Sequence, residues 1–243
     1  MRIAAFAYRN IKEITRDPIN LAFGLGFPVI LLLLLSAIQA NIPVELFVIN
    51  NLTPGIAVFG FSFISLFSGT LIAKDRSTSF LARLFSSPMT AADFILGYTL
   101  PMIPVALMQS IICFAIALIL GLTPSWNIWL SILVLLPSAV LFIGLGLLCG
   151  SVFNDKQVGG ICGALLTNLS AWLSGVWFDL NLVGGAFKAV ADALPFVHAV
   201  NAARAALSGN FSSIFPDLWW VFGYALIVLI AAILIFSKKM KNL

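Results

Sequence analysis

Lys74 to Tyr98 reads KDRSTSFLARLFSSPMTAADFILGY, a polar interlude between two long apolar runs. If the chain is helical from about Ser77 to Ser87, then Phe80, Leu81, Leu84 and Phe85 fall at i, i+1, i+4 and i+5 and make one apolar stripe. Asp75, Arg76, Ser79, Ala82 and Arg83 occupy the rest of the cylinder, the pattern of a helix lying in a membrane interface rather than crossing it. Pro88 ends that helix, because it has no N–H to continue the ladder. Thr90 then caps a new one, with Asp93 at the third position completing a capping box where a carboxylate meets the helix dipole. A kinked polar elbow of this size between spans is a place for a soluble partner to push.

The runs on either side set the fold class. Of 243 residues, 61% are hydrophobic and 9% charged, and the mean hydropathy is +1.10. A soluble domain carries about a quarter of its residues charged. A bilayer core takes about 20 apolar residues per helix, and such runs lie at about 19–40, 53–73, 91–121, 126–150, 157–178 and 216–237. The expectation is an all-α polytopic membrane protein of six transmembrane helices, forming one domain over 1–243. Closed β-barrels need short alternating segments, which are absent here.

Basic residues orient the bundle, because cytoplasmic loops retain Lys and Arg. With six spans both termini share one side. That side holds Arg2, Arg9, Lys12, Arg16, Lys74, Arg76, Arg83, Lys156, Lys238, Lys239 and Lys241, against Lys188 and Arg204 on the other. Both termini are therefore expected in the cytoplasm, with the net charge of +4 facing anionic headgroups rather than nucleic acid. The first apolar run is long and begins late, and Ile38 spoils a cleavage site ending at Ala40, so the first span is expected to stay.

Residues 1–17 form a second amphipathic candidate, with Ile3, Phe6, Ala7, Asn10, Ile11 and Ile14 three and four apart. It should lie along the inner leaflet until Asp17-Pro18 turns the chain into span one, which at its plainest makes it a lipid anchor. In span two, Phe59, Phe63 and Phe67 recur at i, i+4 and i+8, with Ser62, Ser65 and Ser68 on a neighbouring face; they line a path for an amphipathic substrate or simply pack. Gly146-x-x-x-Gly150 and Gly159-x-x-x-Gly163 permit close helix approach on either side of the turn at Phe153–Gln157. Asn168 in span five is read as the most polar side chain near mid-membrane, facing the bundle interior to meet substrate or bond a neighbouring helix.

Asp179 to Pro216 is too apolar for a solvated loop and too short to cross twice, so two short re-entrant helices are expected, about Val183–Leu194 and Pro195–Leu207, closed by Gly209. Lys188 and Asp192 are four apart and pair. His198, Asn201, Arg204 and Ser208 make one polar stripe, in which Arg204 faces headgroups or pairs with Asp179, Asp192 or Asp217. His198 is the sole histidine, which leaves no multi-imidazole metal site. Cys113, Cys149 and Cys162 all sit within spans and read as small buried hydrophobes.

No phosphate-binding G-x-x-x-x-G-K-[ST] loop, H-E-x-x-H or G-x-S-x-G occurs, and the spans hold no carboxylate pair for acid–base or proton-relay work. The chain is expected not to be an enzyme, and its energy to come from another polypeptide.

The elbow resembles the cytoplasmic segment of ABC-2 type transporter permeases, E-R-x-x-G-T-L-E-R-L-x-x-x-P followed by an apolar start ending in I-L-G. Asp75, Arg76, Leu81, Arg83, Leu84, Pro88 and Ile95-Leu96-Gly97 fall in register, while Ser79, Phe80 and Ala82 depart from it. Pro195 and Arg204 match the Pro, about nine residues, then Arg of the family's outer segment. The resemblance implies an ATP-driven exporter permease similar to the daunorubicin-resistance and nodulation-exporter permeases. Such a permease works in the inner or plasma membrane on drugs, lipids or antimicrobial peptides. ATP and Mg would sit on two copies of an ATP-binding subunit, and the permease would pair with a second copy or a paralogue. It further implies that Asp75, Arg76, Leu81, Arg83, Leu84, Phe85 and Pro88 form the ATPase-coupling helix, and that Pro195, His198, Asn201 and Arg204 belong to an outer gate. A non-transporting membrane scaffold is the alternative, and an enzyme built on His198 and a carboxylate a remote third.

Overall fold

The computed structural model describes residues 2–78, 80, 81, 84 and 88–241. Local signals start the helices where the sequence places them. The Asp17 side chain accepts from the Asn20 amide and Pro18 supplies a pre-set φ, so α2 begins at Pro18 and runs to Gln39 behind α1 (Arg2–Thr15). Thr90 and Asp93 exchange the two bonds of a capping box and open α4, Ala91–Ile119. Between them α3 spans Ile49–Ser77, 29 residues that continue well past the apolar run.

Leu135 breaks the next span into α5 (Asn127–Val134) and α6 (Leu136–Val152), with Pro137 in the first turn of α6. A second capping box, Asn154 with Gln157, starts α7 (Asp155–Gly160), which passes directly into a π-helical stretch, Ile161–Leu166, and α8, Thr167–Leu173. The outer segment gives α9 (Leu180–Val183), α10 (Gly185–Ala193) and α11 (Pro195–Ser208). Gly209, at φ +77°, takes the left-handed turn that stops α11. α12, Ile214–Lys241, ends the chain. Among the described residues no strand forms.

Five stretches are long and apolar enough to cross a membrane: α2, α3, α4, α5–α6 and the span ending in α12. The expected fifth span is instead the broken run α7–π–α8, whose pieces of 6, 6 and 7 residues are individually too short. The chain still travels the length of α3 here. Arg76 at one end of α3 bonds the Phe153 carbonyl, while Arg204 bonds both the Asn51 carbonyl at the other end and the carbonyl of Gly175.

Helix α3 is the axis, flanked by α2, α4, α6, α11 and the broken run. Against α6 it makes backbone contact. A Cβ on Gly146 would strike the Ser65 carbonyl, one on Gly150 the Gly69 carbonyl, and one on Gly69 would come within 2.8 Å of the Gly146 carbonyl. Ser68 donates across this seam to the Ile143 carbonyl at 3.1 Å. Of the two expected small-residue motifs, Gly146–Gly150 is in backbone contact with α3; in the second, a Cβ on Gly163 would come within 3.3 Å of the Leu66 side chain of α3, while one on Gly159 meets nothing within 4 Å.

Gly146→Ala should therefore destabilise the fold by about 1–3 kcal/mol through overpacking against backbone that cannot step aside. Gly159→Ala should be neutral or gain up to about 1 kcal/mol from helix propensity. Thermal unfolding of the two purified variants in one detergent separates these outcomes; equal transitions would remove the seam from the account.

Candidate functional site

The charged residues of α3, Lys74, Asp75 and Arg76, all lie in its last turn. At the basic end Asp75 is buried, with its side chain 8% exposed. Arg9 of α1 grips it with both arms, Nη1 to Oδ2 at 2.5 Å and Nη2 to Oδ1 at 2.9 Å. The Tyr98 hydroxyl of α4 donates to the same Oδ2 at 2.7 Å. Asn10, wholly buried, accepts from Arg9 and donates to the Gly97 carbonyl. Phe6 packs edge-on against Phe94 and Tyr98, in a space that a side chain on Gly97 would fill. Three helices are thereby bolted through one carboxylate, and α1 is docked onto the start of α4 as well as being amphipathic.

Arg76, the next residue, points the other way and donates to the carbonyls of Gly150 and Phe153 at 2.6 and 3.3 Å. These groups end α6, where unpaired carbonyls concentrate negative partial charge. The expectation that Asp75 and Arg76 lie on the exposed face of a separate interfacial helix is corrected: both belong to the last turn of α3, and both bond within the chain. Because α3 runs unbroken to Ser77, its register turns Asp75 toward α1 and α4 and Arg76 toward α6.

Beyond Thr78, Phe80, Leu81 and Leu84 are helical; Leu81 is buried, Phe80 and Leu84 half-buried. The Arg9 guanidinium lies 4.2 Å from the Phe80 ring centre. Pro88 is exposed. Arg83 and Phe85, with Ser79, Ala82 and Ser87, lie outside the described residues.

The expected path residues do not form one lining. Phe59, Phe63 and Phe27 of α2 make an aromatic cluster that Trp177 joins through Phe59. Phe67 covers Gly24 and borders a cavity at the basic end. Ser62 is buried and bonds back to the Phe59 carbonyl. Asn168, expected to face inward, is exposed on the outside of the bundle, its amide on the Ala164 carbonyl. Its register follows from the π-helical stretch just before it, which rotates the helix face relative to a continuous α-helix. The amide that is buried mid-span is Gln109 of α4, donating to the Ala57 carbonyl at 3.0 Å through the notch left by Gly60. Its sequence signal is a single amide inside the apolar run of α4.

At the other end, α11 begins at Pro195, and His198 joins three elements. Its Nδ1 is 2.5 Å from the Asp217 carboxylate of α12 and its Nε2 2.8 Å from the Asp192 carbonyl of α10. Two acceptors facing two ring nitrogens suit an imidazolium. Burial of the ring opposes that charge, yet the bonds to Asp217 and Asp192 and the charges of both outweigh it, and the His198 pKa is raised. Arg204 pairs with none of Asp179, Asp192 or Asp217 within 4.0 Å among the described residues; it donates to the carbonyls of Asn51 and Gly175. Asp192 takes Lys188 at 2.5 Å, as the four-residue spacing implies. Asn201 and Arg204 border a cavity.

Two measurements check these clusters. Arg9→Met leaves the Asp75 carboxylate buried with only Tyr98, and we expect a loss of about 2–3 kcal/mol. That is below the range for a wholly buried pair, because the Arg9 side chain is 32% exposed. Arg9→Met with Asp75→Leu should recover part of the loss in denaturant titrations. For His198, a pKa raised above the unfolded 6.5 contributes stability in full below that value and loses it as pH rises through the folded pKa. The thermal midpoint should fall as pH rises from about 6.5 through the folded pKa, and His198→Gln should flatten that slope.

A family model described as ABC-2 type transporter matches residues 1–208. Over 128 residues the chain is 30% identical to the "Putative transport permease ycf38" of Pyropia yezoensis and 31% identical to its namesake in Porphyra purpurea. Each match takes in 50% of this chain and 44% of the relative, so the chain spans less than half the length of these two relatives. With a family match over most of its residues and a bundle of long apolar helices, the chain belongs to the ABC-2 type transporter family as a multi-pass membrane protein.

Proposed function

We propose that the chain is the permease subunit of an ATP-driven exporter that moves amphipathic molecules such as drugs, lipids or antimicrobial peptides outward across the inner or plasma membrane. ATP and Mg would be held by two copies of a separate ATP-binding subunit. The elbow between α3 and α4 would face that subunit in the cytoplasm, as would both termini. The observation that carries this reading is the attachment of the elbow: Asp75 and Arg76, at its start, are bonded to α1, α4 and α6 together. A displacement of Phe80 to Leu84 would thus be delivered to four helices at once, through Arg9 over Phe80 and through the end of α3. That is the mechanical requirement for switching a bundle between two packings.

Asn168 supports a second copy or a paralogue beside this one. A polar side chain exposed on the outer face of an apolar run, next to exposed Leu165, Leu169 and Trp172, is costly against lipid and is relieved by a facing helix. Asn168 and the half-buried Phe63 would then border a path between two copies rather than within one, while Phe59 and Ser62 stay buried behind it.

The test is co-purification with a co-expressed ATP-binding subunit of an ABC transporter from the same organism, followed by measurement of its ATP hydrolysis in the presence of amphipathic compounds. Leu84→Asp and Arg83→Glu should each reduce capture of the partner or the stimulated rate by about tenfold, roughly 1.4 kcal/mol of coupling. Full capture and an unchanged rate in both variants would count against the elbow as the coupling surface.

A further inference from the structure

At the Asn51 end a cavity of about 540 Å³ opens between the 45–46 loop, residues 174–182, α10 and α11. Its charges are ordered by depth. Arg204 is half-buried, whereas Glu45, Asp179 and Asp192 are exposed and so stand at the mouth. Asp192 is neutralised by Lys188 at 2.5 Å. Neither Glu45 nor Asp179 has a cation within 4.0 Å among the described residues.

Arg204 is under-satisfied. A guanidinium carries five N–H donors; here Nε reaches the Asn51 carbonyl at 2.9 Å and Nη2 the Gly175 carbonyl at 3.1 Å. Both acceptors are neutral, and the remaining donors have no hydrogen-bond acceptor among the described residues. Burial lowers the Arg204 pKa, and the attraction of Asp179 does not make up the difference. A withdrawn cation that lacks an anion, bordering a cavity, is the arrangement that an incoming anionic group completes. Apolar side chains share the wall, among them Leu46, Val176, Trp177 and Phe178.

We propose that this cavity binds the headgroup of a zwitterionic amphiphile: its phosphate or carboxylate on the free donors of Arg204, its ammonium against Glu45 and Asp179, and its first methylenes along Trp177 and Phe178. A purely anionic headgroup would meet the two carboxylates at the mouth, and a purely cationic one would leave Arg204 unpaired. Binding here does not require that the chain transport what it holds, so the inference goes beyond the exporter reading and is tested by binding alone.

The purified full chain in a neutral maltoside detergent is titrated by native mass spectrometry with dihexanoyl-phosphatidylethanolamine and with dihexanoyl-phosphatidylglycerol, which keeps the phosphate and lacks the ammonium. We expect the ethanolamine lipid to bind about tenfold more tightly, and Arg204→Gln to weaken it by about tenfold. Because Arg204 also bridges Asn51 and Gly175, the exposed pair Glu45→Gln with Asp179→Asn provides a second variant: Asp179→Asn retains the side-chain oxygen that accepts from the Asn181 amide at the start of α9, and the pair should abolish the preference between the two lipids. Competition by free O-phosphoethanolamine would assign the site to the headgroup in solution; retention of the lipid against it would assign the site to a membrane lipid. Equal binding of both lipids by the parent chain overturns the proposal. So does an undiminished preference in the double variant, or unchanged binding by an Arg204→Gln variant whose thermal transition matches the parent.

Discussion

The direct backbone contact between α3 and α6 is the constraint on which the rest of this bundle leans. In lipid, apolar side chains gain little by meeting one another, so helices associate through close packing and through bonds that the surroundings cannot replace. Gly69, Gly146 and Gly150 let the two backbones touch, and the Ser68 hydroxyl bonds across to the Ile143 carbonyl. Neither helix can shift there without separating. α4 and α12 pack against α6, α2 and α11 against α3, and the broken run from α7 to α8 follows α3 along its length.

The polar chemistry is then placed where this axis ends. At one end a single buried carboxylate receives Arg9 and Tyr98, and the neighbouring arginine reaches the last carbonyls of α6. At the other, Arg204 and His198 bridge the start of α3, the loop after α8, α10 and α12. Between the ends, Ser62, Thr99, Ser110 and Gln109 bond to backbone carbonyls, as expected where water cannot supply partners. The short reach of these bonds makes the basic end one unit: a movement of the elbow is shared by α1, α3, α4 and α6, because Asp75 and Arg76 are adjacent on a stiff helix.

Features whose partners lie within a turn are legible in the sequence. The capping box at Thr90 and Asp93, the break at Asp17-Pro18, the stop at Gly209 and the pair Lys188–Asp192 all involve groups at most four residues apart. Features whose partners lie far away in the chain are not. Arg9 is 66 residues from Asp75 and Arg204 is 153 from Asn51, and both arginines read equally well as interfacial charges. Asn168 misleads for another reason: its apolar setting matches a continuous helix, but the hydrogen-bond register of residues 161–166 does not, and a small change in residues per turn carries a side chain from one face to the other.

The sequence by itself determined the membrane class, the long helices, the amphipathic α1 and the absence of a nucleotide-binding loop, because hydropathy, caps and motifs are local and lipid tolerates few alternatives. Only the tertiary structure decided that Asp75 and Arg76 face inward, that the span after α6 is broken, that Gln109 rather than Asn168 is buried, and that Arg204 borders a cavity with donors to spare. These depend on which helices meet and at what rotation, which close packing at three glycines settles and no single segment encodes.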